Sequence, residues 1–208
     1  MQGLAALLFD FDGTLAELNL DFEDMRARVQ ELARAQGYAD PWPPGYLLEA
    51  VEQVGQRLGP GFVRQAAELI QDLELAAARQ ARLFPFTTPL LDRARRQGLG
   101  VAVISRNCGP AIEMVFPQVA EQGRVFLPRE AVDNPKPHPE HLLAACRVLG
   151  VPPERAALVG DHPLDVQTAL AAGCRAIAVA SGRIPAHKLQ EAGAHLVLPD
   201  ASAILDWW

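Results

Sequence analysis

The chain opens on an unbroken apolar run, Leu4-Ala5-Ala6-Leu7-Leu8-Phe9, that stops abruptly at Asp10. Residues 100–104, 156–159 and 176–180 repeat the pattern, and 195–198 is a weaker instance. Continuous apolar runs of this length predict strands buried on both faces, as in a parallel sheet covered by helices. Between them, residues 88–97, 139–149, 164–172 and 185–192 read as helices. Glycine follows each, at Gly98, Gly150, Gly173 and Gly193, where a helix commonly ends in a left-handed residue. Strands alternating with helices predict the α/β class, with a doubly wound, mainly parallel sheet.

Residues 21–83 break that rhythm. Three amphipathic stretches, 22–36, 46–58 and 62–83, are separated by Asp40-Pro41-Trp42-Pro43-Pro44-Gly45 and Gly59-Pro60-Gly61. A helical segment between the first two strands predicts a small all-helical domain inserted after the first strand. Leu83-Phe84-Pro85-Phe86 would be the return hinge. The expected division is a core of residues 1–17 and 85–208 with a helical domain of 18–84. Tyr38, Trp42 and Tyr46 are expected to pack inside that domain or, failing that, to line its entrance. Trp207 and Trp208 are expected to pack back on the protein or against another subunit.

Composition narrows the field. Half of the 208 residues are hydrophobic and 21% are charged, enough for a sizeable core and unlike a disordered chain. The formal net charge of −6 supplies no broad basic field, so nucleic acid is not an expected partner. The first apolar run is too short to span a membrane, and it lacks the basic flank of a signal peptide. Cys108, Cys146 and Cys174 are widely spaced and form no C-x-x-C pair, which argues against a zinc site and suits a reducing, cytoplasmic setting. The chain is expected to be a monomer or homodimer.

Candidate chemistry gathers just past the strand ends. Asp10-Phe11-Asp12-Gly13-Thr14 follows the first strand, and alternation along an extended segment puts both carboxylates on one side. Two such acids repel unless a cation lies between them. Ser105-Arg106-Asn107 follows the strand at 100–104, where hydroxyl and amide groups suit either a phosphate oxygen or a helix N-cap. Lys136 stands between Pro135 and Pro137, which fix its backbone, so it is either a presented cation or a solvated loop lysine. Gly160-Asp161-His162-Pro163-Leu164-Asp165 carries two further acids, read either as functional carboxylates or as a helix N-cap, Asp161, and a first-turn acid, Asp165. All four elements fall at the sheet edge where open α/β folds bind ligands.

Together these motifs resemble those of the haloacid dehalogenase superfamily, in the branch with a helical cap that contains phosphoglycolate phosphatases and β-phosphoglucomutases. The resemblance implies a Rossmann-like core, a helical cap and a Mg²⁺-dependent phosphatase acting on a small phosphorylated metabolite. It implies Asp10 as nucleophile, Asp12 as general acid and base, and Ser105 and Lys136 as phosphoryl-binding groups. The metal would engage Asp10, the Asp12 carbonyl and Asp161, with Asp165 holding its waters or Lys136. Gly13, Thr14, Arg106, Asn107 and Arg26 are the candidate substrate contacts. Arg106, at a position often occupied by Asn in this superfamily, points either to substrate or to solvent. Arg26 and Arg28 form either a solvated helix face or a clamp for a second anionic group. His162 is either a contact or a bystander. The alternatives are a phosphomutase, sharing the same core chemistry, and a non-catalytic protein that has kept the fold.

Overall fold

The computed structural model describes residues 3–207. Six strands form one sheet: β1 (Ala6–Phe9), β4 (Gly100–Ile104), β5 (Val125–Leu127), β6 (Ala156–Gly160), β7 (Arg175–Val179) and β8 (Leu196–Leu198). Their order is β5-β4-β1-β6-β7-β8 and every pairing is parallel. The connections run outward in both directions from β1. Loops that follow β1 and its neighbours β4 and β6 therefore converge on one crevice at the carboxyl edge.

Side-chain alternation sends each strand's residues to two separate layers. Leu7, Phe9, Val101, Val103, Ala157, Val159, Ile177 and Val179 pack on one face. They meet helix α4 (Thr87–Arg96), helix α5 (Gly109–Val115) and the C-terminal 3₁₀ segment Ala201–Trp207. Ala6, Leu8, Ala102, Ile104, Ala156, Leu158, Ala176 and Ala178 pack on the other, under α6 (Glu140–Leu149), α7 (Pro163–Ala171) and α8 (Ala186–Glu191). Period-two patterning is hidden in these runs because both faces are apolar. Trp207 packs against the first layer, whereas Trp208 lies outside the described residues.

Between the first and third strands of the chain lie α1 (Phe22–Ala35), α2 (Leu47–Leu58) and α3 (Pro60–Ala78), which pack on one another. Met25, Val29, Ala50, Val51, Val54, Phe62, Ala66 and Ile70 make their shared interior. A Cβ on Gly55 would sit 2.2 Å from Val63 Cγ2, so glycine sets the close approach of α2 to α3. The third stretch is shorter than its apolar pattern predicts. The helix ends at Ala78, and Arg82–Leu83 instead pairs antiparallel with Ala16–Glu17 as β3 and β2. That two-stranded ribbon brings both connections of the inserted helices together, with Arg82 bonded to Glu17 at 3.0 Å. Strand β5 and helix α5 are additions to the predicted elements; both are short, and β5 is only half-buried.

Tyr38 and Trp42 pack edge-on with ring centroids 6.3 Å apart, against the apolar layer, as expected. Tyr46 takes the alternative place at the entrance: its ring faces His162 at 6.0 Å and lies under the Arg106 guanidinium at 5.4 Å. All three cysteines are unpaired and buried, and no described helix is long and apolar enough to cross a membrane.

Leu8 on central strand β1 is fully enclosed among apolar neighbours. Leu8→Ala is expected to cost about 2–5 kcal/mol through lost burial and the cavity left behind, measured by urea unfolding.

Candidate functional site

Asp10 is the first residue past β1, and its N–H donates to the Val159 carbonyl at 2.8 Å, which ties the loop to β6. The chain then turns tightly, with Leu15 and Ala16 N–H groups both donating to the Phe11 carbonyl while Phe11 is buried. Asp161 emerges beyond β6, and Asp165 lies in the first turn of α7. Carboxylate oxygens of Asp10, Asp161 and Asp165 all lie within 4.8 Å of one another. The buried Lys136 ammonium bridges two of them, donating to Asp10 Oδ1 and Asp165 Oδ1 at 2.6 Å each.

Backbone space makes this crowding sterically possible. A Cβ on Gly13, whose φ is +77°, would lie 2.3 Å from Asp161 Oδ2, and one on Gly182 would lie 1.7 Å from the same atom. Asp161 thus occupies a slot between two glycines. Ser181 Oγ donates to the Gly13 carbonyl at 2.7 Å and closes that slot. Gly160 similarly leaves room for Asp165, whose Cγ would be 2.4 Å from a Cβ there.

The acids repel one another and are largely withdrawn from water. Burial, then the Lys136 attraction opposing it, leaves Asp10 raised from 3.8 to about 6. Burial and the charges of Asp10, Asp165 and Asp12 push Asp161 up to about 8. Burial alone would lower the Lys136 pKa, but Asp10 and Asp165 reverse this and the ammonium is held more firmly protonated than usual. Three carboxylates against one ammonium leave an excess of negative charge lined entirely by oxygen donors. That is the donor chemistry a hard divalent cation takes, and it relieves the like-charge repulsion. The residues present therefore fit a divalent metal.

Asp12 stands slightly apart from the trio. Its Oδ1 accepts from Leu18 N at 2.9 Å, and burial leads the causes that raise it from 3.8 to about 6. Asp165 does two jobs, since Oδ2 also accepts from His162 N at 3.2 Å in a capping box. His162, rather than Asp161, is the N-cap of α7, and its Nδ1 accepts from Leu164 N at 3.1 Å. His141 is a member of the site that spacing alone did not mark. Its Nε2 lies 3.0 Å from the Leu127 carbonyl and its Nδ1 accepts from Lys136 N at 3.3 Å. Burial and the Lys136 charge push His141 down to about 4, so the ring is neutral near pH 7 and steadies the lysine loop.

Several expected substrate contacts are engaged elsewhere. Thr14 is fully enclosed beneath the loop. Arg26 donates to the Gly45 carbonyl at 2.8 Å and holds the α1–α2 connection, and Arg28 pairs with Asp24 on the exposed face. The Arg106 guanidinium is turned toward the inserted helices rather than out to solvent. It grips Glu49 of α2 at 2.6 and 2.8 Å and also bonds the Lys136 carbonyl. Ser105 is buried, and its Oγ donates to Asn107 Oδ1 at 3.1 Å. It does not cap α5, whose N-cap is Cys108. Glu49, Gly182 and Arg183 are the other neighbours that sequence reasoning passed over. Arg183 bonds the Leu20 carbonyl and lies over the Phe22 ring at 5.2 Å.

Fold and site define a doubly wound α/β protein whose reactive groups lie at the carboxyl edge beside its central strand. The chain belongs to the haloacid dehalogenase-like hydrolase family, whose model matches residues 7–179. It is 28% identical over 194 residues to an N-acetylmuramic acid 6-phosphate phosphatase of Pseudomonas putida, covering 87% of this chain and 85% of that protein. It is 29% identical over 189 residues to a phosphoglycolate phosphatase of Xanthomonas campestris, covering 85% and 83%. A solved hydrolase from Pseudomonas syringae shares the fold with a TM-score of 0.76, at 19% identity over 97% of this chain and 96% of that one.

Two outcomes are expected. Because Asp10 and Asp161 are raised above 3.8, their protonated forms favour the fold; that contribution is complete below about pH 4 and is lost as pH rises through about 6 and about 8. Without a divalent ion, thermal stability should therefore fall over this range. A divalent ion held by this cluster would need the ionised acids, so a saturating ion such as Mg²⁺ should raise Tm more near pH 8 than near pH 5.5, and Asp161→Asn should flatten both trends. Separately, Gly182→Ala, whose Cβ would lie 1.7 Å from Asp161 Oδ2, is expected to displace that carboxylate and weaken the apparent affinity for a divalent ion, read from the ion-dependent rise in Tm, by about 10–100-fold, the usual cost of disturbing the support of a metal-binding group.

Proposed function

We propose that this protein is a Mg²⁺-dependent phosphomonoesterase that hydrolyses a small phosphoglycolate- or sugar-phosphate-like metabolite. The observation that carries the reading is the convergence of Asp10, Asp161 and Asp165 around the Lys136 ammonium at one strand edge. Family membership and relatives that act on phosphate esters support it.

Asp10 commits one oxygen to Lys136 and turns the other toward phosphorus. Attack forms a P–O bond to Asp10 as the ester P–O bond breaks, and splits hydrolysis into two easier displacements. Asp12, raised to about 6, sits in the range where a carboxyl group both gives and takes protons near neutrality. It gives its proton to the leaving alkoxide. It then takes a proton from the water that attacks phosphorus and breaks the aspartyl–phosphate bond, which releases phosphate and restores both acids. Lys136 and Ser105 bind the transferring phosphoryl oxygens, where positioning and charge stabilisation supply most of the acceleration. Asp10, the Asp12 carbonyl and Asp161 would hold Mg²⁺, which supplies neutralisation of phosphoryl charge when bound. Asp165, with one oxygen on Lys136 and one on the His162 N–H, orients the lysine.

Residues 18–84 form the cap in this reading. Tyr46 and Glu49 of the cap meet His162 and Arg106 of the core above the acids, so the cap shields the reaction from bulk water and shapes the substrate's remote end.

The test is release of phosphate from p-nitrophenyl phosphate. Turnover is expected with Mg²⁺, to disappear with chelator and return on adding Mg²⁺, and to fall more than about a thousandfold in Asp10→Asn. Folded wild-type protein that hydrolyses nothing across a broad panel of phosphate esters would overturn the reading.

A further inference from the structure

Helix α3 buries every fourth residue: Phe62, Ala66, Ile70, Glu74 and Ala78. Four of the five are apolar, and Glu74 interrupts the stripe with a carboxylate that is only 3% exposed. A buried charge costs several kcal/mol unless it is fully partnered, and a leucine would fill such a position without that cost. What distinguishes Glu74 is what it touches. Its Oε1 pairs with Arg129 Nη1 at 2.6 Å and accepts from Asn107 Nδ2 at 3.3 Å, and its Oε2 accepts from Cys108 N at 3.1 Å. Arg129 in turn donates to the Arg106 carbonyl at 3.1 Å. One side chain from the inserted helices thus anchors the whole Ser105-Arg106-Asn107-Cys108 loop.

The anchor also carries directional information. An ionised carboxylate only accepts hydrogen bonds, so the Asn107 amide must turn its NH₂ group toward Glu74 and its oxygen toward Ser105. Ser105 Oγ then donates its single hydrogen to Asn107 Oδ1 at 3.1 Å and accepts from Asn107 N at 3.2 Å. The hydroxyl oxygen is held on two sides, and its hydrogen has a defined resting direction.

We propose that Glu74 is a positioning residue for Ser105, fixing the place and hydrogen direction of its hydroxyl through the Asn107 amide before a phosphate ester arrives. The inference rests on the reading of Ser105 as a phosphoryl-binding group. On arrival of a phosphoryl oxygen, the hydroxyl swings its hydrogen from Asn107 Oδ1 to that oxygen, while the Asn107 N–H keeps Oγ in place. The contact comes from α3, so the inserted helices contribute to the phosphoryl site as well as to its cover.

The experiment compares kcat/KM for p-nitrophenyl phosphate in Ser105→Ala, Glu74→Gln, Asn107→Asp and the double variant Glu74→Gln/Asn107→Asp, each checked for folding by its thermal transition. In Glu74→Gln the relay loses its acceptor-only end. In Asn107→Asp two carboxylates face each other. The double variant restores the bond in reverse, with the glutamine amide donating to the aspartate and an aspartate oxygen still accepting from Ser105, while Arg129, which shares Glu74 Oε1 with Asn107, keeps its bonds to the Arg106 carbonyl and Glu130. Each single variant is expected to lose about thirtyfold and the double to return within about tenfold of wild type, the shortfall reflecting the lost Arg129 contact; two independent structural defects would multiply instead. Losses that multiply in the double variant, or Glu74→Gln at the wild-type rate, would overturn the inference while Ser105→Ala still costs activity. Full activity in Ser105→Ala alongside an inactive Asp10→Asn would instead remove the Ser105 reading on which it rests. If Glu74→Gln does not fold, Asn107→Ala decides the matter: a loss similar to that of Ser105→Ala supports the relay, and an unchanged kcat/KM refutes it.

Discussion

The local electrostatics turn on one imbalance: three carboxylates share one ammonium at the end of a buried strand. Lys136 satisfies Asp10 and Asp165 directly, at 2.6 Å each, but Asp161 remains among like charges and is raised to about 8. A protein relieves such a cluster by protonating a member or by admitting a cation. Near neutral pH the first remedy removes an oxygen ligand, whereas the second retains all of them. The same repulsion that destabilises the empty cluster therefore supplies its attraction for a metal. It also explains why the lysine is so heavily supported. Asp165, the flanking prolines and the neutral His141 each constrain the loop that presents it.

Crowding these groups demands room in the backbone, and the parallel sheet provides it. Asp10 and Asp161 follow adjacent strands, with Phe9 paired to Val159, so two loops approach within side-chain reach. Gly13 and Gly182 keep their Cβ space open for the Asp161 carboxylate, and Gly160 does so for Asp165. Glycine at these positions thus serves volume before flexibility. Only Gly13 also needs a left-handed backbone, at φ +77°.

Much of this was legible in the chain. Unbroken apolar runs identified five of the six strands of the main sheet, because a strand covered on both faces has no polar side to disguise it. Asp10, Lys136, Asp161 and Asp165 stood out because each follows or flanks an element terminus, and the structure gathers them. The short β5 and the β2–β3 ribbon carried too few residues for a periodic signal. Arg106 and Glu49 were opaque for a different reason. Their meaning depends on a pairing 57 positions apart in the chain, which no local pattern encodes. Gly182 and His141 act through space that only the fold creates. Glu74 did leave a trace, as a charged residue in register with an apolar stripe.

Two acidic residues of the inserted helices, Glu49 and Glu74, show how the helices and the core are joined. Glu49 meets Arg106 in a pair whose carboxylate is 43% exposed, so solvent screens it and the contact adds little stability. Glu74 meets Arg129 where the side chains are 4% and 12% exposed, and breaking that contact would strand a charge out of water. The inserted helices therefore hold the core by one firm charged contact at the base of α3 and one yielding contact at the mouth. Breaking the first contact would cost more than breaking the second. The loop carrying Ser105 is thus anchored where charge is withdrawn from water, and the Arg106 side chain beside it is held by a partner that solvent reaches.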